Sequence, residues 1–133
     1  MVEYITGING IGKTRVLSEA CVQTAKESTG NVIFVDNSNK LSTVLPSNIR
    51  LININDFAIQ GANVLCGFLV GLCASDYDLT DVFVDSTVDI INNNNTSMED
   101  FFEVLTIISE QTGVNFHFAV CDKYVPELSY QSN

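Results

Sequence analysis

The stretch Gly7-Ile8-Asn9-Gly10-Ile11-Gly12-Lys13-Thr14 sets two glycines on either side of a four-residue gap and follows the second with Lys and Thr. These residue types at this spacing are what a phosphate cradle needs. Glycines let the loop fold back so that successive backbone N–H groups converge on a β-phosphate, and a helix that starts there adds the positive end of its dipole. In such a loop Lys13 would bridge the β and γ phosphates as a catalytic charge, and the Thr14 hydroxyl would coordinate Mg2+. The predicted nucleotide-binding residues are therefore Gly7, Asn9, Gly10, Ile11, Gly12, Lys13, Thr14 and Arg15. The competing dinucleotide fingerprint fails, because Arg15 stands where a third glycine would have to follow Gly10 and Gly12.

A cradle of this kind also needs a carboxylate that reaches the metal through water, at the end of a buried strand beside the loop. Asp85, which closes Asp81-Val82-Phe83-Val84, has that place and is the predicted metal partner of Thr14. Asp36, after Val32-Ile33-Phe34-Val35, is the second candidate, to orient water or metal. Ser86 and Thr87 stand where a water-activating glutamate would follow the metal aspartate, so Asp36 would have to serve as the base.

The elements that must position these groups follow from hydrophobic spacing. Residues 2–6 read as a short strand feeding the loop, and a helix is expected from about Lys13 to Ser28, where Val16, Leu17, Ala20, Cys21 and Ala25 fall near one stripe and Gly30 can end it. Residues 31–36 read as a fully buried strand. After a turn-rich connection containing Pro46, residues 49–55 alternate apolar and polar, which suggests a strand with one exposed face toward an edge; its direction is left open, because no full helix precedes it. An apolar helix from about Phe57 to Ser75 and a third buried strand over 80–87 come next. Thr96 and Glu99 have capping-box spacing for a helix through about Gln111, ended by Gly113, and residues 114–121 form the last strand. Alternating strands and helices predict an α/β fold, a three-layer P-loop-like sandwich of about five mostly parallel strands and about three helices, in one domain spanning residues 1–133.

Composition narrows the function. Six Lys and Arg against sixteen Asp and Glu give a formal net charge of −10, which disfavours nucleic acid and anionic lipid as partners. Cys21, Cys66, Cys73 and Cys121 form no CxxC pair, and with the single histidine, His117, they suggest neither a zinc site nor a disulfide framework, in keeping with reduced cytoplasmic thiols. A basic N-terminal region of the kind signal peptides carry is missing. The 18 residues 57–74 approach membrane-span length, but Asp56 precedes them and Asp76 and Asp78 follow, with no Lys or Arg anchor, so a buried helix of a soluble protein is expected rather than a membrane span. Within it Asn63, Gly67 and Gly71 recur every fourth residue, a face along which a backbone could approach a sheet closely.

Among phosphate-loop functions, a Ras-type GTPase is disfavoured: Asn39-Lys40-Leu41-Ser42 lacks the aspartate of a guanine-reading motif, and Asp85-Ser86-Thr87-Val88 lacks the glycine of the hydrolysis sensor. A small-molecule kinase would need several arginines around the transferred phosphate, and only Arg15 and Arg50 exist. The loop at the N-terminus, Ile49-Arg50-Leu51-Ile52-Asn53, the block from Gly67 to Thr87 and Pro126-Glu127-Leu128 together resemble a family of small P-loop ATP-binding proteins of Firmicutes, some of which carry the label of twitching motility ATPase. The resemblance covers nearly the whole chain. It implies ATP and Mg2+ as ligands, phosphate binding by Gly7 to Thr14 and metal binding by Asp85. Cys121 departs from related P-loop folds, which end that strand with a hydroxyl or amide that senses the γ-phosphate.

The expected function is a cytoplasmic Mg-ATP-binding protein with slow or partner-stimulated hydrolysis, its nucleotide state read by a protein partner or by another copy of the chain. A small-molecule transferase and a degenerate, non-hydrolysing module acting in protein interaction are the alternatives.

Overall fold

A computed structural model of the chain describes residues 1–6, 11–87 and 98–120. Five strands form one sheet: β1 (Val2–Ile5), β2 (Asn31–Asp36), β3 (Ile49–Asn53), β4 (Leu79–Val84) and β5 (Asn115–Ala119). Their order across the sheet is β1-β5-β4-β2-β3, and every neighbouring pair is parallel. Three α-helices lie among the described residues, α1 (Ile11–Glu27), α2 (Ala62–Ser75) and α3 (Met98–Thr112). The expected three-layer α/β sandwich is the fold that forms.

Strand patterning explains the order. β2 and β4 carry the unbroken apolar runs Val32 to Val35 and Val82 to Val84 and lie inside the sheet, where both faces are covered. β3, with Arg50 exposed and Ile49 and Ile52 buried, takes one edge as its alternation suggested. Its direction is now settled as parallel to β2. Parallel neighbours need a crossover of a dozen or more residues, and residues 37–48 supply it with a helical turn in which Leu45 N–H donates to the Leu41 carbonyl at 3.0 Å.

Side chains from alternate strand positions build two cores. On one face Leu17 and Cys21 of α1 pack on Val32, Phe34, Phe83 and Ala119. On the other, α2 contributes Leu65 and Leu69, and α3 contributes Phe101, Phe102 and Leu105, against Val35, Val82, Val84 and Phe118. There the rings meet edge to face, Phe102 at 4.9 Å from Phe118 and 5.0 Å from Tyr4, the geometry that aromatic quadrupoles favour. Gly113, at φ 79°, closes α3 as expected, since that left-handed conformation costs glycine nothing.

Two details depart from the sequence reading. The helix expected from Phe57 starts five residues later: the Asn53 side chain accepts from Asn55 N–H and caps a short 3-10 turn over Ile54–Phe57, and Ala58 then turns left-handed at φ 54° before α2 begins at Ala62. The face of Asn63, Gly67 and Gly71 does not lie against the sheet. Those residues are exposed, and a methyl group added at Gly67 or Gly71 would meet no described atom within 4 Å. The sheet is met instead by Ala62, Leu65, Leu69 and Cys73, because larger side chains recover more apolar area than glycines can. Close approach occurs at Gly30, where an added Cβ would stand 2.1 Å from the Asp78 carbonyl oxygen and 2.6 Å from Thr80 Cγ2.

Opposite outcomes are therefore expected from one substitution type. Gly30→Ala should lower stability in urea unfolding by about 1–3 kcal/mol through overpacking, whereas Gly67→Ala should raise it by roughly 0.5–1 kcal/mol through lower backbone entropy in the unfolded chain.

Candidate functional site

Because all five strands run the same way, their carboxyl ends share one edge of the sheet, and α1 begins at that edge. Leu17 and Cys21 fix α1 on the sheet, and Thr14 lies on the same helical stripe one turn earlier. Asp85, the residue after β4, follows Phe83 by two and lies on the same side of the sheet. The two meet: Thr14 Oγ1 donates to Asp85 Oδ2 at 2.8 Å across 71 residues of sequence. Asp85 is 5% exposed. Its Oδ1 accepts from Ser86 N–H at 2.9 Å, and its own N–H donates to the Val35 carbonyl at 2.9 Å. Ser86 adopts φ 57°, so the chain turns sharply just after the carboxylate.

Asp36 ends β2, the strand next to β4, and is 4% exposed. Its Oδ1 accepts from Asn37 N–H at 2.8 Å and its Oδ2 from Ser38 Oγ at 3.2 Å. Burial pushes its carboxyl above the usual range and the neighbouring Asp85 charge adds to this, against the opposing pull of the Asn37 N–H, Ser38 and Lys40. The structure thus brings together Thr14, Asp85 and Asp36, three of the predicted site residues from three different elements.

Gly7, Asn9 and Gly10 lie outside the described residues, as does Cys121. Ile11 and Gly12 open α1, whose first turn contains no acidic residue, so the positive end of its dipole is not already neutralised by its own side chains. Lys13 is half-buried one residue before Thr14. Arg15 points elsewhere: its Nε donates to Glu19 Oε1 at 2.9 Å in an exposed pair one turn along α1. The expected cap at Thr96 also falls outside the described residues.

A hydroxyl and a carboxylate are hard oxygen donors of the kind Mg2+ takes when phosphate and water fill its remaining positions. No group of three or more His, Cys, Asp or Glu able to hold a metal ion occurs among the described residues. The Thr14 and Asp85 pair fits Mg2+ held jointly with a phosphate ligand, and it does not fit a metal held by protein alone.

One charged cluster was missed in the sequence. His117 of β5 lies between Glu3 of β1 and Asp81 of β4, at 3.0 Å from Glu3 Oε1 and 2.8 Å from Asp81 Oδ2. The available signal was Asp81 in an otherwise apolar strand, since a buried carboxylate needs a partner.

A scan against protein-family models returns no match for the chain, and a search of the curated proteins returns none.

Replacing Thr14 by Val should destabilise the nucleotide-free protein by about 1–2 kcal/mol, because the buried Asp85 carboxylate loses a donor. Thr14→Ser should retain most of that stability in the same chemical denaturation series.

Proposed function

We propose that this chain binds a magnesium nucleotide, with ATP as the nucleotide, and that hydrolysis is slow unless a partner stimulates it. The observation that carries the reading is the Thr14 to Asp85 hydrogen bond at the start of α1, where the glycine loop of the sequence leads into the helix. A hydroxyl and a carboxylate at this distance support a reading in which the two share one cation.

Thr14 and Asp85 would hold the Mg2+, and the ion would neutralise charge on the phosphates. Backbone N–H groups at the α1 N-terminus would bind phosphate oxygens, and the Lys13 ammonium would add a further positive charge. Asp36, beside Asp85 and shifted toward higher basicity by burial, is the described carboxylate closest to the role of orienting water. It already accepts two hydrogen bonds from its own turn, which holds it away from vigorous base chemistry. Arg15 is engaged with Glu19, and Arg50 is exposed three residues before the carboxyl end of the edge strand β3. A charge that stabilises the transition state would therefore come from a partner protein or a second copy of the chain.

ATP rather than GTP follows from the failed guanine-reading motif and from the resemblance to small ATP-binding P-loop proteins. A cytoplasmic setting accords with free Cys21, Cys66 and Cys73, and no helix among the described residues is long and apolar enough to cross a membrane.

Isothermal titration of MgATP into wild type and Lys13→Ala tests the reading. Wild type should bind, and the variant should bind at least about tenfold more weakly, a loss of roughly 1.4 kcal/mol. Equal affinities would sink the proposal. Saturation at 100 times the dissociation constant should also stabilise wild type by about 2.7 kcal/mol, and no shift would favour a module that does not use nucleotide.

A further inference from the structure

Glu3 of β1 and His117 of β5 are in register, and Asp81 of β4, in register with Asn115, lies diagonally across from His117, two residues before that histidine's register partner Phe83, all on the sheet face that α1 covers. Both ring nitrogens of His117 face a carboxylate oxygen, Nδ1 at 3.0 Å from Glu3 and Nε2 at 2.8 Å from Asp81. A neutral imidazole has one N–H and can satisfy only one of them; the imidazolium donates to both. The His117 and Asp81 side chains are 7% and 9% exposed, so an Asp81 carboxylate facing a neutral ring there would be costly, whereas Glu3, at 46%, adds its charge from the exposed rim. Phe83 lies flat against the imidazole, with centroids 4.1 Å apart and planes at 8°, and offers its ring face to the cation.

The placement of the two acids ties the cluster to the other end of the sheet. Glu3 lies two residues before the end of β1, and Asp81 precedes Asp85, the residue after β4, by four. At about 3.3 Å per residue the cluster lies roughly 13 Å below the candidate site, on the same sheet face. β1 is an edge strand that pairs only with β5, yet it is the strand that leads into the glycine loop. A slip of one residue would carry Glu3 to the opposite face and break its contact with His117.

We propose that His117 is a positioning residue of the nucleotide site, a cationic peg that fixes the edge strand β1 relative to β4 across β5, and that loss of its proton loosens β1. The proposal rests on the nucleotide-binding reading above for its functional half and on the strand geometry for its structural half.

The charges around the ring agree. Burial by itself would lower the His117 value, but hydrogen bonds to Asp81 and Glu3 and their charges outweigh it and raise the value above the ordinary one. For Asp81, burial alone would act upward, and the bond from His117 with further donors brings it down. From α1 the facing titratable group is Cys21, whose thiol is pushed up to about 12 by burial and by the Asp81 charge, so it stays neutral. Glu27 lines an open cleft with Asp81 and Asn115 at this end of the sheet, and the Met1 amino group is bonded to Ser109 and Asn115. For a histidine whose folded value is raised, the stabilisation is complete below the unfolded value of about 6.5 and is lost as pH rises through the folded value. For Asp81 the loss comes at the acid end, as pH falls through its lowered value.

Amide hydrogen exchange on the full chain without nucleotide reads the peg directly. Phe116 N–H and Val120 N–H donate to the carbonyls of Met1 and Ile5, so their protection reports the β1–β5 seam. In wild type, after correction for intrinsic exchange, protection at these amides should fall by about tenfold between about pH 6 and about pH 9, while amides between β2 and β4 change less. Glu3→Gln keeps the buried pair of His117 with Asp81 and should fold; its seam protection should start lower and vary less with pH. His117→Gln should show no such pH slope. A flat wild-type profile, or a Glu3→Gln profile equal to wild type, would overturn the peg. MgATP affinity, compared at each pH, should be several-fold weaker in Glu3→Gln than in wild type at neutral pH and converge with it in alkali. Unchanged affinity beside altered exchange would overturn the positioning role alone. Absence of MgATP binding to wild type would overturn the nucleotide reading and the positioning role with it, and exchange would still decide the peg.

Discussion

Five strands running in one direction put five carboxyl ends on one edge of the sheet, and most of what this chain can do follows from that constraint. Asp36 and Asp85 become neighbours because β2 and β4 are parallel neighbours. α1 reaches them because it packs by Leu17 and Cys21 on the face that also presents Phe34 and Phe83. Thr14 lies one turn before Leu17, and Asp85 two residues past Phe83, so the bond between them is a consequence of helix-on-sheet packing. It would vanish if α1 turned by one residue, since about 100° of rotation separates adjacent positions on a helix.

The sheet handles its acids in two ways. At the amino-terminal side, Asp81 and Glu3 share a histidine, and the charge is balanced within the fold. At the carboxyl edge, Asp36 and Asp85 face each other with hydroxyl and amide donors and no Arg or His among their hydrogen-bond partners. Burial and the Asp85 charge both push Asp36 up, which is the signature of an edge where added positive charge would be stabilising. With six Lys and Arg in the whole sequence, that charge is scarce within the chain itself.

How legible this was in the sequence depended on the range of the physics involved. β2 and β4 could be read from unbroken apolar runs, and β3 from its alternation, because burial acts residue by residue. The direction of β3 could not, since it depends on whether twelve residues between Asp36 and Ile49 form a crossover, and that is decided by packing of Leu41 and Leu45 on the α1 side. The Asn63, Gly67 and Gly71 stripe was misread for a related reason. Periodicity identifies which residues share a face, but which face turns inward is a competition in buried area, and Leu65 and Leu69 win it. In the candidate site, Asp85 and Thr14 were legible from strand-end and loop spacing. The Glu3, His117 and Asp81 cluster was not, because it needs β5 inserted between β1 and β4, a strand order that no local pattern encodes.

That insertion also bears on the difference between holding a nucleotide and splitting it. With β5 between them, the loop strand and the strand of Asp85 are two strand spacings apart, roughly 10 Å at about 4.8 Å each. Thr14 is brought to Asp85 by the packing of α1 rather than by direct strand pairing. The elements on the far side of Asp85 contribute Asp36, Asn37 and Ser38, which bond to one another in a closed turn. A water placed there would meet acceptors already engaged and an arginine committed to Glu19 on the outside of α1. On the proposed nucleotide reading, Thr14 and Asp85 would serve the grip on charge more completely than Asp36 would serve cleavage, and a further cation would be best brought by a partner surface.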